Sequence, residues 1–254
     1  LTVKGWNAKY AKITREFGYI KKDDMRAALL LNSIVKRQFP APRLRKIISG
    51  KPVFVIGAGP SLQSAIPALK KYKNIVKICA DSALGLLAEN GIRPQIVVTD
   101  LDGDLKLLGK IGKSAIAVVH AHGDNIERLG FAKNFKHCII TTQAEEVGKA
   151  RNFGGFTDGD RCVFLANHFG AGKIFLFGMD FGPKIGRFSN TKKSERKVKL
   201  KKLRYGKMLL EWLAPQTRSE LFILSKPLKG FRKITYRELE LAISGQNGFN
   251  TVNT

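Results

Sequence analysis

Acidic residues are scarce in this chain. Its 254 residues include 20 Asp and Glu against 45 Lys and Arg, for a formal net charge of +25. That balance favours anionic partners: nucleotides, nucleic acid or acidic membranes. Cysteine is also rare. Cys79, Cys138 and Cys162 lie far apart, each in an apolar stretch, and read as buried core thiols instead of a redox pair or metal set. No apolar run reaches the length of a membrane span, and no basic-then-apolar leader opens the sequence. The expectation is a soluble cytoplasmic protein with no membrane partner. No Walker loop, RNA-binding aromatic motif, zinc knuckle or recognition-helix pattern occurs. The sequence does not set an oligomeric state, and a homo-oligomer stays open.

A chain that is 44% hydrophobic has enough apolar material for one sizeable core. The first 50 residues read as helical, with a helix-long apolar pattern over 25–39 that "FPAPR" breaks. Short β-rich runs follow: "PVFVIG", "NIVKICA", "PQIVVTD", "AIAVVHAHG", "HCIITT" and "KIFLFG". Helix-length stretches separate most of them, at 60–70, 82–90, 124–132 and 157–169. Doubly buried strands alternating with helices predict a largely parallel α/β sheet. A basic helix near 194–213, the strand "LFILS" and a last short helix complete the chain. The division is a helical segment over 1–50, an α/β core over 51–182 and a basic extension over 183–254.

In open parallel sheets ligands bind at the carboxyl ends of the strands. The scarce carboxylates gather there. "VVTDLDGD", residues 97–104, places Asp100, Asp102 and Asp104 at alternate positions after an apolar run. If the strand continues, all three point the same way and repel unless a cation lies between them. Mg²⁺ takes such oxygen ligands together with phosphate oxygens. The alternative is that Asp104 caps a helix.

"VIGAGPSL" supplies Gly57, Ala58, Gly59, Pro60 and Ser61 in a tight strand-to-helix turn. Its N–H groups read as an anion site, or as a structural turn only. "HAHGDN" offers His120, His122, Asp124 and Asn125 for substrate contact, a zinc pair or local capping. "GGFTDGDR" offers Thr157 or Asp158 as a helix cap, with Asp160 and Arg161 in the first turn. The alternative there is a second set of magnesium or substrate ligands. "GMDFGP", residues 178–183, ends another strand in the same crevice.

"GAGPSL", "ADSAL", "RPQIVVTDLDGD", "HAHGDN" and "GGFTDGDR", in that order, resemble the archaeal 6-hydroxymethyl-7,8-dihydropterin diphosphokinases. The resemblance runs from about Val53 to Asp180. The family's core is similar to the catalytic domain of thiamine diphosphokinase, which implies a Rossmann-like sheet. It implies diphosphoryl transfer from ATP to a pterin, with Mg²⁺ as cofactor. Asp100 and Asp102 would hold the metal, completed by Asp158 or Asp160. The Gly57–Ser61 turn would bind phosphate, Arg161 would offset charge, and Asp81 would bond the ribose or the pterin amino groups. "GAGPSL" is also similar to a motif of bacterial sialyltransferases, which implies a nucleotide-sugar glycosyltransferase as the alternative. A third alternative is a nucleic-acid-binding module built on "TKKSERKVKLKKLRYGK", residues 191–207.

Overall fold

Six of the strands are apolar almost without interruption, because both faces of the sheet are covered. The computed structural model describes residues 3–186 and 193–245. It places β1 (Pro52–Ile56), β2 (Val76–Ala80), β3 (Ile96–Thr99), β4 (Ile116–Ala121), β5 (His137–Thr142), β6 (Lys173–Phe177), β7 (Glu220–Ile223) and β8 (Arg232–Lys233) in one sheet. The order is β5-β4-β3-β2-β1-β6-β7-β8, and every pairing is parallel. This is the expected Rossmann-like α/β fold. β7 and β8 come from the basic extension and continue the sheet begun by the α/β core.

The two-residue period of a strand sorts its side chains between two cores. Phe54 and Ile56 enter one core, with α2 (Lys21–Ile34), α4 (Leu62–Lys71), α5 (Leu84–Glu89) and α9 (Leu239–Ser244). Val53 and Val55 enter the other, with α1 (Trp6–Phe17), α3 (Ala41–Ile48), α7 (Asp158–His168) and α8 (Arg196–Leu213). Cys79, Cys138 and Cys162 are all buried and unbonded. Among the described residues no helix is long and apolar enough to cross a membrane.

Two local readings change. The helix expected over 25–39 starts earlier and stops at Ile34, because Phe39 leaves it to donate its N–H to the Cys138 carbonyl, 2.8 Å away. The stretch 124–132 is a tight 3-10 run, Gly123–Asn134. The alternative reading of Asp104 as a helix cap holds: α6 (Leu105–Ile111) follows it and links β3 to β4. Residues 191 and 192 of the basic stretch lie outside the described residues.

One buried cation is purely architectural. Lys77 is 2% exposed on β2. Its Nζ donates to the carbonyls of Tyr72, Lys73 and Ile75, closing the end of α4. Burial lowers its pKa to about 8.

Candidate active site

Strand order reverses at β1: the chain runs outward through β2 to β5, then returns to β1's other side as β6. The carboxyl ends of β1, β2, β3 and β6 therefore face a crevice at a topological switch point. The crevice holds 760 Å³, within the range of small-molecule sites. The Gly57–Gly59 loop, Asp81, Asp100, Asp102, Thr157, Asp158 and the Gly178–Phe181 turn line it.

Asp81, Asp100, Asp102 and Asp158 each bring a carboxylate oxygen into one group, all within 4.8 Å of one another. Each arrives by a different local route. Asp81 opens a single 3-10 turn, Asp81–Ala83, at the end of β2. It is 5% exposed and accepts from Thr99 Oγ1 at 2.7 Å. Thr99 Oγ1 in turn accepts the Leu101 N–H at 2.8 Å. Leu101 sits at φ 65, a left-handed conformation uncommon for a branched side chain. The strand therefore does not continue through "DLDGD". The chain turns at Leu101, and Asp104 leaves to cap α6 by accepting the Leu107 N–H at 3.0 Å. The reading of three aligned carboxylates reduces to Asp100 and Asp102. Gly103 allows the turn to lie against Asp81, since a Cβ there would be 3.0 Å from Asp81 Oδ2.

The four carboxylates repel one another, a charge that a bound cation would offset. Two unit charges about 5 Å apart repel by roughly 3 kcal/mol at an effective dielectric of about 20. Burial, then the charges of Asp100 and Asp102, raise the Asp81 carboxyl to about 7. Partial desolvation, then Asp100, raise Asp102 to about 6. Burial and the neighbouring carboxylates push Asp158 well up. Asp100 is the exception. Burial opposes its charge, but the His122 hydrogen bond and charge, with Arg161 behind, hold it well below the carboxylate range. His122 Nε2 lies 3.4 Å from Asp100 Oδ2. Asp100 Oδ1 is buried and has no hydrogen-bond partner among the described residues. An orphaned carboxylate oxygen inside a mutually repelling acidic group suits a divalent cation with oxygen ligands.

Other candidate residues lie elsewhere. Asp160 is fully buried, but it turns away from the acidic group. Its carboxylate accepts the Phe156 N–H at 2.6 Å, the Thr157 N–H at 2.8 Å and the Thr157 hydroxyl, as the capping partner of α7. With three hydrogen bonds committed there, Asp160 serves as a structural cap and lies outside the group that could hold a metal. Arg161 is 7% exposed and sits behind the acidic group, outside the crevice wall. Its Nη1 is 3.2 Å from Asp158 Oδ1. It therefore balances charge through Asp158 from outside the crevice lining.

Asn125 is a local clamp. Its Nδ2 donates to the Asp100 and His120 carbonyls at 2.7 Å, and its Oδ1 accepts the His122 N–H at 3.0 Å. Asp124 is exposed, 3.9 Å from His122 Nδ1. His122 orients Asp100. None of the three is among the residues that line the crevice. His120 is buried, Nδ1 to Thr141 Oγ1 at 3.1 Å, and burial keeps it neutral by lowering its pKa well below the ordinary value. Among the described residues, the group that can hold a metal contains no histidine.

The glycine turn also departs from its expected use. The Gly57 N–H donates to the Phe177 carbonyl at 2.9 Å and the Gly59 N–H to the Gly178 carbonyl at 2.7 Å. Ser61 donates N–H and Oγ to Asp180 Oδ2, at 2.8 and 2.7 Å. Pro60 has no N–H to give. Of the donors expected to meet an anion, those of Ser61 thus meet a carboxylate of the chain itself. The glycines serve close backbone approach: a Cβ on Gly59 would lie 2.6 Å from the Gly178 oxygen. Gly59→Val is therefore expected to cost roughly 3 kcal/mol or more by overpacking. Thermal melts of ligand-free protein check this. An unchanged midpoint alongside weakened ATP binding would restore the phosphate-cradle reading.

Sequence reasoning did not find a second layer. Asp24, 2% exposed on α2, accepts from the Tyr10 hydroxyl at 2.6 Å, Gln143 Nε2 at 2.8 Å and the Gly123 N–H at 2.8 Å. Gln143 Oε1 faces Arg161 Nη2 at 3.4 Å. The N-terminal helices are thereby connected to Asp158 through Gln143 and Arg161. Asp24 resembles an ordinary first-turn acid, and only long-range folding reveals its partners.

Comparison with known proteins agrees with this geometry. A family model described as "6-hydroxymethylpterin diphosphokinase MptE-like" matches residues 28–186. A 6-hydroxymethyl-7,8-dihydropterin pyrophosphokinase of Methanocaldococcus jannaschii is 41% identical over 84% of this chain and 96% of its own. A protein of the same name from Pyrococcus furiosus is 41% identical over 87% and 97%. A third, from Methanothermobacter thermautotrophicus, is 37% identical over 84% and 95%. Among solved structures, a MAf glycosyltransferase from Magnetospirillum magneticum superposes with a TM-score of 0.58 at 14% identity. It matches 86% of this chain, which spans only 39% of that protein, and the likeness is one of fold. Matched by the family model over most of its length and by relatives over nearly all of theirs, the chain belongs to the MptE-like 6-hydroxymethylpterin diphosphokinase family.

Proposed function

We propose that the protein transfers the diphosphoryl group of ATP to the hydroxymethyl oxygen of 6-hydroxymethyl-7,8-dihydropterin. The hydroxymethyl oxygen bonds to the β-phosphorus, and the bond from that phosphorus to the α–β bridging oxygen breaks. AMP leaves with the electron pair, and the hydroxyl proton is released. The observation that carries the site assignment is the group of four carboxylates at the switch-point crevice.

Asp81, Asp100, Asp102 and Asp158 would hold Mg²⁺, which supplies charge neutralisation and alignment of the phosphate oxygens. The chain's own residues set the geometry. Thr99 fixes Asp81, His122 fixes Asp100, and Arg161 offsets the charge on Asp158. The crevice would hold the two substrates in reach of each other, which is most of what phosphoryl transfer asks of a protein. A cytoplasmic location belongs to the same reading, because three unbonded buried thiols suit a reducing compartment.

Turnover of ATP and nucleotide sugars against a panel of pterins and sugars, with products identified by mass, tests the reading. AMP formation dependent on the pterin supports it. Transfer from a nucleotide sugar with no pterin product would overturn it.

A further inference from the structure

The acidic floor of the crevice faces a basic wall. α8 docks against the helix that carries Asp158. Tyr205, Gly206, Leu209, Leu210 and Leu213 of its C-terminal half are buried. A Cβ on Gly206 would lie 3.1 Å from Asp160 Oδ1 and 3.5 Å from Thr157 Oγ1, so the backbone there sits directly on the α7 cap. One turn earlier, Val198, Lys199, Lys202 and Leu203 line the crevice. Lys199 and Lys202, three apart, share a helix face.

These two lysines differ from their neighbours. Lys201 lies 3.9 Å from Glu16 and Lys207 lies 3.8 Å from Glu211. Lys199 and Lys202 are half-buried and have no carboxylate within 4.0 Å among the described residues. Lys202 Nζ instead stands 5.9 Å from the Tyr19 ring and 6.0 Å from the Phe156 ring, which restrict it beside the crevice. In the glycine turn, meanwhile, the N–H and hydroxyl of Ser61 are taken by Asp180.

We infer that Lys199 and Lys202 of α8 are the polyphosphate-binding cations of this site, contacting phosphate oxygens on the side away from the acidic group. The inference rests on the diphosphokinase reading for its ligand and assigns the basic helix its role. An ammonium is a compact charge that reaches phosphate without the fixed fork of arginine. A polyphosphate between a carboxylate-held cation and two lysines has its charge met from both sides. The basic residues of the exposed face, such as Lys197 and Arg204, then serve only the general field.

The test compares affinities of the full chain for ATP, tripolyphosphate and AMP in Mg²⁺ by calorimetry. Lys199→Ala/Lys202→Ala is expected to lose about 100-fold for ATP and tripolyphosphate, as two charge-assisted hydrogen bonds disappear. Its AMP affinity should change little. Lys197→Ala/Arg204→Ala removes the same net charge and should bind all three as wild type. Lys199→Arg/Lys202→Arg should recover most of the loss, which separates a lost contact from a damaged fold. Equal losses in the two alanine pairs, or an unchanged ratio of ATP to AMP affinity, would overturn the assignment. So would a Lys199/Lys202 pair whose loss weakens RNA binding and leaves ATP untouched. Absence of pterin product in wild type would fail the diphosphokinase reading alone. Selective loss of tripolyphosphate binding would still uphold the lysines.

Discussion

Asp100→Asn and Asp102→Asn should each lower turnover by about a thousandfold while the protein stays folded. Removing one group that stabilises transition-state charge commonly costs about 10²–10³ in rate, and a metal ligand adds loss of positioning. The two variants differ in what else they touch. Asp100 also receives His122 and presents a buried unpartnered oxygen, so its loss disturbs the loop that Asn125 clamps. Asp102 is exposed and makes the cleaner test. In metal-free protein Asp102→Asn should be as stable as wild type or more so, because it removes one charge from a repelling group. Unchanged turnover of both variants at saturating Mg²⁺ would remove the acidic group from the chemistry.

The second large effect is the response to divalent ions, and its sign depends on pH. Asp81 and Asp102 have folded-state values of about 7 and about 6, above the ordinary carboxylate value of 3.8. Between about pH 4 and 7 the folded chain therefore holds protons that the unfolded chain has released. Stability of the metal-free protein is highest at the acid end of that window for these two groups, and is lost as pH rises through it. Asp100, held low, contributes in the opposite sense only below the window. Chelator should abolish turnover. Mg²⁺ should raise the melting midpoint more at about pH 7.5 than at about pH 5. Asp81→Asn should flatten the metal-free profile. A metal-free midpoint constant across the window, or an Mg²⁺ effect independent of pH, would contradict the assignment.

How far the sequence carried depends on the range of the interactions involved. The strands "PVFVIG" to "KIFLFG" are legible because doubly buried β-runs are a local pattern. The helix Leu105–Ile111 shows itself only through its cap residue Asp104, since seven residues with Gly109 inside give the helical period barely two turns. The pair Asp100 and Asp102 shows itself as acid at a strand end. Asp158 shows itself only as one of two candidates beside Asp160, and Asp81 only as a ribose or pterin contact; the strand order β3-β2-β1 and the packing of α7 on the sheet bring both to that pair. The cap role of Asp160 was available locally: Thr157 stands three residues before it, in the spacing of a capping box. The glycine turn is legible as a turn, but the fate of its donors is not. Its motif advertises free N–H groups, and Asp180, 119 residues from Ser61, takes two of its donors. The basic helix was legible as charge, but only its docking separates Lys199 and Lys202 from the solvated lysines beside them.

The most direct measurement uses ATP labelled separately at the α- and γ-phosphorus, with 6-hydroxymethyl-7,8-dihydropterin and Mg²⁺, and follows both labels by product. Attack at the β-phosphorus sends the γ label into the pterin diphosphate and leaves the α label in AMP, in equal amounts. The same label distribution should disappear in Asp102→Asn. Recovery of the α label in ADP beside a pterin monophosphate would contradict diphosphoryl transfer. A pterin left unlabelled by both would contradict the pterin as acceptor.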